Sequence, residues 1–491
     1  MRNAHLPKLD PAESTTSRSS EVIISPDPKQ QGWWFPVSEG KHVVIVGLGT
    51  GGLFSSRAAQ RYNRNTRITV VERRSYDMFS PCGIPYAIEG KVKDFEDLKH
   101  SVPVTRGFTK LLRHEALRVD RESKRVEVKN LDAGECHWIS YDSLILSTGS
   151  RPKVLPIPGA REFLGRGVYT CANPEEGKVI REAALKSKRA VVIGGGAIGL
   201  ELALALRHLG LEVTATKRTP QILGDEVDPD MAEIIGKFIA DQGVKNLFGK
   251  GIKRINGSDR VESVVIAGET IPCDMVIMAT GVDPNGKLAE DAGLKTERGA
   301  IVVDDHLRTS DPCIYALGDA TTYFSGIDGK PAAVALATTA YKQAAVAGVN
   351  AAGGDAKYEG TYGTFVTYFG GLEVSCTGFN TSTAEARGFK TVAGRINMKT
   401  KPHWMPDAKD ISVKIVSDAE TGRVLGGQAV GEEGTDWRIN IIAMAVKKRM
   451  TLQELSTIEL AYCPAVSDLN DPLMLAVDVA IRRLESNQRR V

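Results

Sequence analysis

A glycine-rich turn that could bind a dinucleotide follows a short apolar run, residues 42–46. Its pattern is G-x-G-x-x-G, and an acidic residue closes the next apolar run, as in dinucleotide-binding units. The glycines allow a tight turn, the N-terminus of the following helix faces the pyrophosphate, and the acidic side chain can accept hydrogen bonds from the adenosine ribose. The residues predicted to bind are Gly47, Gly49, Gly51, Gly52, Glu72 and Arg73.

A second turn with the same pattern lies at residues 194–199, but two cations stand where the acidic residue would be. A carboxylate at that position would repel a ribose 2'-phosphate, whereas cations attract it, so the sequence predicts NADPH over NADH. The alternative interpretation is a solvated Lys-Arg pair in the following loop. The residues predicted to bind are Gly194, Gly196, Ala197, Ile198, Gly199, Lys217 and Arg218.

The seven cysteines are dispersed, with no CxxC or CxxxxC pair and no cluster with metal-ligand spacing. This pattern favours reduced thiols, and we predict no metal site. Cys82 lies between Pro81 and Gly83. Taken alone, such a cysteine is more often structural. A single thiol can accept two electrons only if its sulfur alternates with a partner, as a mixed disulfide, a persulfide or a sulfenic acid.

The elements that must position these residues are repeated along the chain. Around each glycine-rich turn the order is strand, turn, helix and strand, which indicates a βαβ unit. After about residue 360 the pattern changes to strand-like and then helical stretches, typical of an α+β unit. A chain of 491 residues is too long for one core. The predicted division is a mobile N-terminal arm at 1–40, a first nucleotide domain at 41–160 and 282–358, a second at 161–281, and a C-terminal domain at 359–491.

The composition excludes several function classes. A formal net charge of +3 is small for this length and does not suggest a nucleic-acid partner or an anionic membrane surface. The first 25 residues have no apolar core of a secretory signal, and no segment approaches 18 uninterrupted apolar residues. We therefore expect a cytoplasmic protein.

Three further segments complete an arrangement that resembles the pyridine nucleotide-disulfide oxidoreductases over residues 41–485. Segments 144–149 and 275–281 are strand-to-turn pieces that each close one nucleotide domain, and segment 314–320 adds a strand that ends in Gly-Asp. The resemblance implies an α/β fold with two Rossmann-like domains, one for FAD and one for NAD(P)H, and a C-terminal α+β dimerisation domain. It also implies that Asp319 hydrogen-bonds the FAD ribityl chain. Further cofactor-binding residues that it implies are Gly318, Ser147, Thr148, Gly149 and Gly281.

Within this family, the segment 79–86 is similar to the single-cysteine branch. That branch contains coenzyme A disulfide reductases, NADH oxidases and peroxidases, and persulfide or polysulfide reductases. Ala87 stands where the other branch has the second cysteine of its CxxxxC pair. The resemblance implies that Cys82 is the redox residue. Its thiolate, formed when electrons arrive from NAD(P)H through the flavin, would attack the next disulfide or sulfane sulfur.

Other residues are implied by the same resemblance. Tyr462 matches the tyrosine with which one subunit of these homodimers reaches into its partner's active site, where it could protonate a leaving thiolate. Glu201 matches a glutamate near the nicotinamide, although a glutamate early in a helix also suits the helix dipole. Arg61 has the spacing of an arginine that binds a coenzyme A phosphate, although it could equally be a solvated helix residue. Cys463 has no role in the family and stays a candidate second redox thiol.

Two departures weaken coenzyme A as a ligand. Pro81 replaces a polar residue that some members have before the cysteine, and residues 370–372 lack a tyrosine that some members use. The favoured function is reduction of a small disulfide or sulfane sulfur by NAD(P)H, with coenzyme A disulfide and coenzyme A persulfide leading. The first alternative is an NAD(P)H oxidase or peroxidase. The second is a flavin-bound redox sensor whose N-terminal arm contacts a partner, which deletion of residues 1–35 would test.

Overall fold

The computed structural model of the protein describes residues 40–489, apart from residues 225 and 333. The predicted N-terminal arm therefore lies outside the described residues, except for Gly40. The first glycine-rich turn belongs to a parallel sheet of five strands. In spatial order these strands are Ile314–Ala316, Ser143–Leu146, His42–Val46, Arg67–Glu72 and Phe108–Leu112.

The two faces of this sheet are covered differently. Val43 and Ile45 pack in one core with residues of the helices Thr50–Tyr62 and Ala337–Ala351. Val44 and Val46 pack in another core, against a three-stranded antiparallel sheet. Because both faces of the sheet are covered, residues 43–46 of the strand His42–Val46 form a continuous apolar run rather than an alternation of apolar and polar residues. The strands of the small sheet are His114–Asp120, Arg125–Asn130 and Cys136–Ser140.

The second glycine-rich turn lies in a second parallel sheet with the same layout. Its strands all come from residues 168–278, between two strands of the first sheet. One face packs on helices, and the other packs on another three-stranded antiparallel sheet. In spatial order the five parallel strands are Val168–Tyr169, Met275–Met278, Arg189–Ile193, Glu212–Lys217 and Val244–Phe248. The small sheet contains Ile252–Gly257, Val261–Ile266 and Glu269–Pro272.

The chain enters and leaves this inserted unit side by side. Ser150–Pro152 and Val282–Pro284 pair as two antiparallel strands. Next to this ribbon, the Asn285 side chain donates a hydrogen bond to the Thr148 carbonyl oxygen at 3.1 Å, and the Thr148 hydroxyl donates to the Asn285 carbonyl oxygen at 2.8 Å. The two nucleotide units are therefore joined by two paired connections rather than by single linkers.

The C-terminal part contains an antiparallel five-stranded sheet. The helices Thr435–Lys448 and Pro472–Gln488 pack on it and share its apolar core. Its strands, in spatial order, are Phe365–Tyr368, Glu373–Gly378, Val424–Gly431, Asp410–Asp418 and Thr391–Lys399. The predicted change to an α+β unit after about residue 360 agrees with this order of elements.

A buried carboxylate attaches the inserted unit to the C-terminal sheet. Asp228, which is 1% exposed, accepts hydrogen bonds from the side chains of Lys414 at 2.9 Å and of Thr381 and Gln428 at 2.8 Å each. Burial alone would raise the pKa of Asp228, but these bonds and the Lys414 charge hold the pKa below its usual value. The carboxylate is therefore held ionised between the two units.

The described residues form seven further α-helices. None of the described helices has the length and apolar character that crossing a membrane requires. The remaining α-helices are Ile84–Glu89, Pro174–Ala184, Ala197–His208, Pro229–Asp241, Lys287–Asp291, Thr381–Ala386 and Leu452–Ser456.

Candidate active site

The first glycine-rich turn combines close packing with one open position. A Cβ atom on Gly47 would lie 2.3 Å from the carbonyl oxygen of Ser147, and one on Gly52 would lie 1.9 Å from the carbonyl oxygen of Gly47. One on Gly51 would lie 2.3 Å from Leu317 Cδ1. A Cβ atom on Gly49 would meet no described atom within 4 Å. Backbone packing therefore requires glycine at Gly47 and Gly52, and Gly51 packs against side chains, whereas Gly49 faces the space in front of the helix N-terminus.

Glu72 lies at the end of the neighbouring strand and is 6% exposed. It accepts a hydrogen bond from the Leu48 amide at 2.7 Å and a forked pair from the Arg74 guanidinium at 2.8 and 2.9 Å. Burial by itself would raise the pKa of Glu72, but Arg74 holds it below the usual value. Arg73 points away, is 74% exposed, and lies 3.8 Å from Glu115. The arginine that contacts Glu72 is thus Arg74, while Arg73 stays a predicted cofactor-binding residue.

Asp319 is the middle residue of the short helical turn Gly318–Ala320, which follows the strand Ile314–Ala316. Its carboxylate accepts hydrogen bonds from the hydroxyls of Ser150 at 3.0 Å and Tyr323 at 3.4 Å. Burial raises the pKa of Asp319. Ser147 and Gly149 follow the adjacent strand, where Ser147 also packs against the first glycine-rich turn.

These groups fit a dinucleotide flavin. The open Gly49 and the N-terminus of the helix Thr50–Tyr62 suit its pyrophosphate, and the ionised Glu72 suits the adenosine ribose. The Asp319 carboxylate suits the hydroxyl groups of the ribityl chain. The open position and the two buried carboxylates thus provide one group each for the pyrophosphate, the ribose and the ribityl chain of FAD.

The second glycine-rich turn has the same geometry. A Cβ atom on Gly194 would lie 2.1 Å from the Ala279 carbonyl oxygen, and one on Gly199 would lie 2.7 Å from that of Gly194. One on Gly196 would meet no described atom within 4 Å. The helix Ala197–His208 starts there, with Ile198 exposed. The repeated open position indicates a second dinucleotide site.

The cations that follow this turn differ in their surroundings. Lys217 ends its strand, and its ammonium group donates a hydrogen bond to the Gln221 carbonyl oxygen at 3.1 Å. Arg218 is exposed. Gly281 lies at the start of the ribbon that leads back to the first unit and has a left-handed backbone conformation, with φ of 92°.

Cys82 lies in the single helical turn Pro81–Gly83, just before the helix Ile84–Glu89. Its thiol is free and exposed. Partial loss of solvation and, second, the charge of Glu201 raise the pKa of this thiol. The described protein groups therefore favour the neutral thiol, so a thiolate at neutral pH requires stabilisation from another source.

Glu201 comes from the inserted unit and lines a small cleft, from which its charge acts on Cys82. The cleft is also lined by Tyr86, one helical turn after Cys82, and by the pair Glu89 and His208, whose side chains are 2.6 Å apart. The Thr367 hydroxyl donates a 2.6 Å hydrogen bond to Glu201. Burial raises the pKa of Glu201. Glu201 thus joins elements of all three parts of the fold near the cysteine.

Comparison with known proteins agrees with this geometry. The family model described as pyridine nucleotide-disulphide oxidoreductase matches residues 41–344, and that of its dimerisation domain matches residues 364–470. The chain belongs to this family. The predicted fold class, the enzyme class and the use of FAD and NAD(P)H are therefore confirmed.

The similar members of the family differ in their named activities. An NADH oxidase from Methanocaldococcus jannaschii is 35% identical over 90% of this chain and 99% of its own length. A CoA-dependent NAD(P)H sulfur oxidoreductase from Pyrococcus abyssi is 34% identical over 89% of this chain and 98% of its own. The structure of an NAD-dependent persulfide reductase from A. fulgidus is 32% identical, with a TM-score of 0.85 over 91% of this chain and 84% of that chain.

Two residues implied by the resemblance, Tyr462 and Arg61, do not line the cleft that Glu201 lines. Tyr462 is 47% exposed, on a described segment without helix or strand between the helices Leu452–Ser456 and Pro472–Gln488. Arg61 is exposed in the last turn of the oxidoreductase's first helix. Cys463 is exposed beside Tyr462, and its backbone accepts hydrogen bonds from the amides of Val466 and Ser467.

Sequence reasoning missed several polar groups of the site. One of them is Arg74, whose contact with Glu72 no motif in the sequence indicates. Tyr323 reaches Asp319 from only four residues further along the chain, whereas Ser150 lies 169 residues before Asp319 and Thr367 lies 166 residues after Glu201. No spacing rule links residues so far apart in the chain, so only the fold brings them together.

Proposed function

We propose that the protein uses NAD(P)H and FAD to reduce a small disulfide or a sulfane sulfur through the single redox residue Cys82. The observation that carries this proposal is the exposed, unpaired Cys82 thiol at the start of a helix, within reach of the charge of Glu201. Similarity to a CoA-dependent sulfur oxidoreductase and to a persulfide reductase supports it.

The overall reaction for a disulfide is NAD(P)H + H⁺ + RSSR giving NAD(P)⁺ + 2 RSH. When bound, FAD would transfer the electron pair from NAD(P)H to sulfur. The Cys82 thiolate attacks one sulfur of the substrate, so that a bond between Cys82 and that sulfur forms and the first RS⁻ leaves with a proton. The incoming electron pair then breaks this mixed disulfide, releases the second thiol and restores the Cys82 thiolate.

The central experiment identifies what Cys82 carries. Mass spectrometry of the purified protein should find a thiol adduct on Cys82, and a coenzyme A adduct would define the substrate class. Cys82→Ser should lose disulfide turnover, while Cys136→Ser, which removes another exposed thiol, should retain it. Full turnover by Cys82→Ser would rule out the proposed mechanism.

Coenzyme A is the favoured thiol because a basic and aromatic surface accompanies Arg61. Arg57 lies four residues earlier on the same helix, is also exposed, and stacks 5.4 Å from the Phe54 ring. Phe54 in turn packs edge-on against Tyr341, with ring centroids 4.5 Å apart. Cations suit the phosphates of coenzyme A, and the exposed Tyr341 ring suits its adenine.

Substitution of these arginines tests this ligand. Arg57→Ala combined with Arg61→Ala should raise the KM for coenzyme A disulfide about tenfold and leave the KM for cystine unchanged, since cystine has no phosphate. Arg64→Ala, an exposed arginine just beyond the helix, serves as the matched control. Equal effects on both substrates would argue against the coenzyme A site.

NADPH is the proposed electron donor over NADH because Lys217 and Arg218 follow the second glycine-rich turn. A charge-assisted hydrogen bond to a phosphate contributes about 1.5 to 3 kcal/mol. Arg218→Ala should therefore lower kcat/KM for NADPH at least about tenfold and change kcat/KM for NADH little. A parallel loss with both nucleotides would contradict the assignment.

We further propose a homodimer in which Tyr462 acts across the interface as the proton donor to the leaving thiolate. The dimerisation domain and a run of exposed apolar residues near Tyr462 support this arrangement. Light scattering should find a dimer. The exposed apolar residues are Ile458, Val466 and Leu469.

The second candidate function is NAD(P)H oxidase, which the 35% identity to an NADH oxidase favours. In that case, Cys82 would cycle through a sulfenic acid, which an exposed thiol can form. Product analysis separates the two functions. Stoichiometric release of thiol or sulfide supports the reductase, whereas faster NADPH-dependent oxygen uptake without any disulfide supports the oxidase.

A further inference from the structure

The turn that carries Asp319 is fixed from behind by a long helix. Gly318 has a φ of 71°, a left-handed conformation that disfavours other residues. Its amide donates a 2.8 Å hydrogen bond to the side-chain oxygen of Gln343, in the helix Ala337–Ala351. Its carbonyl oxygen accepts hydrogen bonds from the amide and the hydroxyl of Thr321, at 3.0 and 2.9 Å. Both backbone groups of Gly318 are thus held.

Gln343 is unusual as a purely structural residue. It is 1% exposed, and its side-chain nitrogen is buried with no hydrogen-bond partner among the described residues. A buried donor without a partner is destabilising, so an apolar side chain would suit this place in the core better. An apolar side chain would not provide the Gln343 side-chain oxygen, which accepts the hydrogen bond from the Gly318 amide.

We propose that Gln343 is a positioning residue for the flavin: it fixes the Gly318 turn so that the Asp319 carboxylate faces the ribityl chain. The inference rests on the FAD site proposed above, and it is independent of which sulfur compound is reduced. Gln343 does not contact the reacting atoms. Its effect passes through one backbone hydrogen bond to the residue next to Asp319.

The test compares two buried amides of the same helix. Gln343→Met keeps the side-chain length and removes the acceptor for Gly318. Asn350→Leu is the matched control, because Asn350 is also 1% exposed but holds the carbonyl oxygens of His306 and Ala356, at 2.9 and 2.8 Å, at the other end of the helix. For each purified holoenzyme, the FAD dissociation constant, the flavin absorption spectrum and the thermal unfolding curve are measured.

We expect Gln343→Met to raise the FAD dissociation constant about tenfold and to shift the flavin spectrum, while Asn350→Leu changes the dissociation constant less than twofold. If Gln343→Met does not fold, Thr321→Val tests the same turn, and a rise of about threefold is expected because one of two hydrogen bonds to Gly318 is lost. The inference is overturned if Gln343→Met, or Thr321→Val in its place, binds FAD as tightly as wild type. It is also overturned if Asn350→Leu raises the FAD dissociation constant as much as that variant does. Wild-type protein that binds no FAD would instead overturn the proposed function.

Discussion

The two glycines Gly49 and Gly52 allow cofactor binding to be separated from folding. Gly49 has φ of −82° and ψ of −165°, which alanine can adopt, and a Cβ atom there meets nothing within 4 Å. In the apoprotein, Gly49→Ala weakens the helix N-cap by about 0.5 to 1 kcal/mol and lowers the entropy of the unfolded chain by a similar free energy. We therefore expect the free energy of unfolding of the apoprotein to change by less than about 0.5 kcal/mol.

The holoprotein should respond differently. The added methyl group occupies the space assigned to the pyrophosphate, so that about two charge-assisted hydrogen bonds are lost, at about 1.5 kcal/mol or more each. This corresponds to a rise of more than about 100-fold in the FAD dissociation constant. Gly52→Ala is the matched contrast, because its Cβ atom would lie 1.9 Å from the Gly47 carbonyl oxygen and should cost the apoprotein about 2 kcal/mol.

The assay is chemical denaturation of each apoprotein, followed by titration with FAD. Two results would refute the reasoning. If Gly49→Ala binds FAD as tightly as wild type, the first glycine-rich turn does not hold the pyrophosphate. If Gly49→Ala destabilises the apoprotein as much as Gly52→Ala does, the open space at Gly49 is not real.

Three further predictions concern charge and proton transfer. Glu201→Gln removes a negative charge that raises the Cys82 pKa, so alkylation of Cys82 should reach half its maximal rate at lower pH; an unchanged profile would contradict this electrostatic link. Lys414→Met leaves Asp228 buried without its cation and should lower the free energy of unfolding by about 3 kcal/mol at pH 7. The pKa of Asp228 is lower in the folded protein, so this difference should persist above about pH 4 and shrink below it in denaturation curves; a difference independent of pH would oppose it. Tyr462→Phe should lower kcat for disulfide reduction about 100-fold at an unchanged FAD content, and an unchanged kcat would exclude the proton donor role.

The nucleotide sites could be predicted from sequence because their geometry is local. Gly47, Gly49 and Gly52 lie within one turn, and the same turn recurs at Gly194, so a spacing rule identifies both turns, although their packing partners Ser147 and Ala279 come from later in the chain. The alternating order of apolar runs and helical stretches likewise indicated parallel sheets. What the pattern did not indicate was the three-stranded sheet on one face of each, since short strands with mixed exposure have no strong periodicity.

The surroundings of the reactive groups could not be predicted in the same way. Arg74 rather than Arg73 reaches Glu72, and only the direction of the chain after the strand decides between them. Thr367, in the C-terminal sheet, donates a hydrogen bond to Glu201 of the inserted unit. Gln343, in the helix Ala337–Ala351, accepts a hydrogen bond from the amide of Gly318. Such contacts depend on tertiary packing, which a single sequence does not encode in any local spacing.

Because Ser150–Pro152 and Val282–Pro284 pair with each other, the second nucleotide unit is an insertion that could be replaced as one piece. Its entry and exit lie next to each other, so one segment could be exchanged for that of a relative at two adjacent junctions without rerouting the first sheet. A chimera of this kind would carry the donor preference of the transplanted segment. It would keep its own flavin site and its own cysteine. In such a molecule, the choice of reductant and the choice of the substrate that is reduced could evolve or be engineered separately, with Glu201 as the residue to be matched at the new boundary.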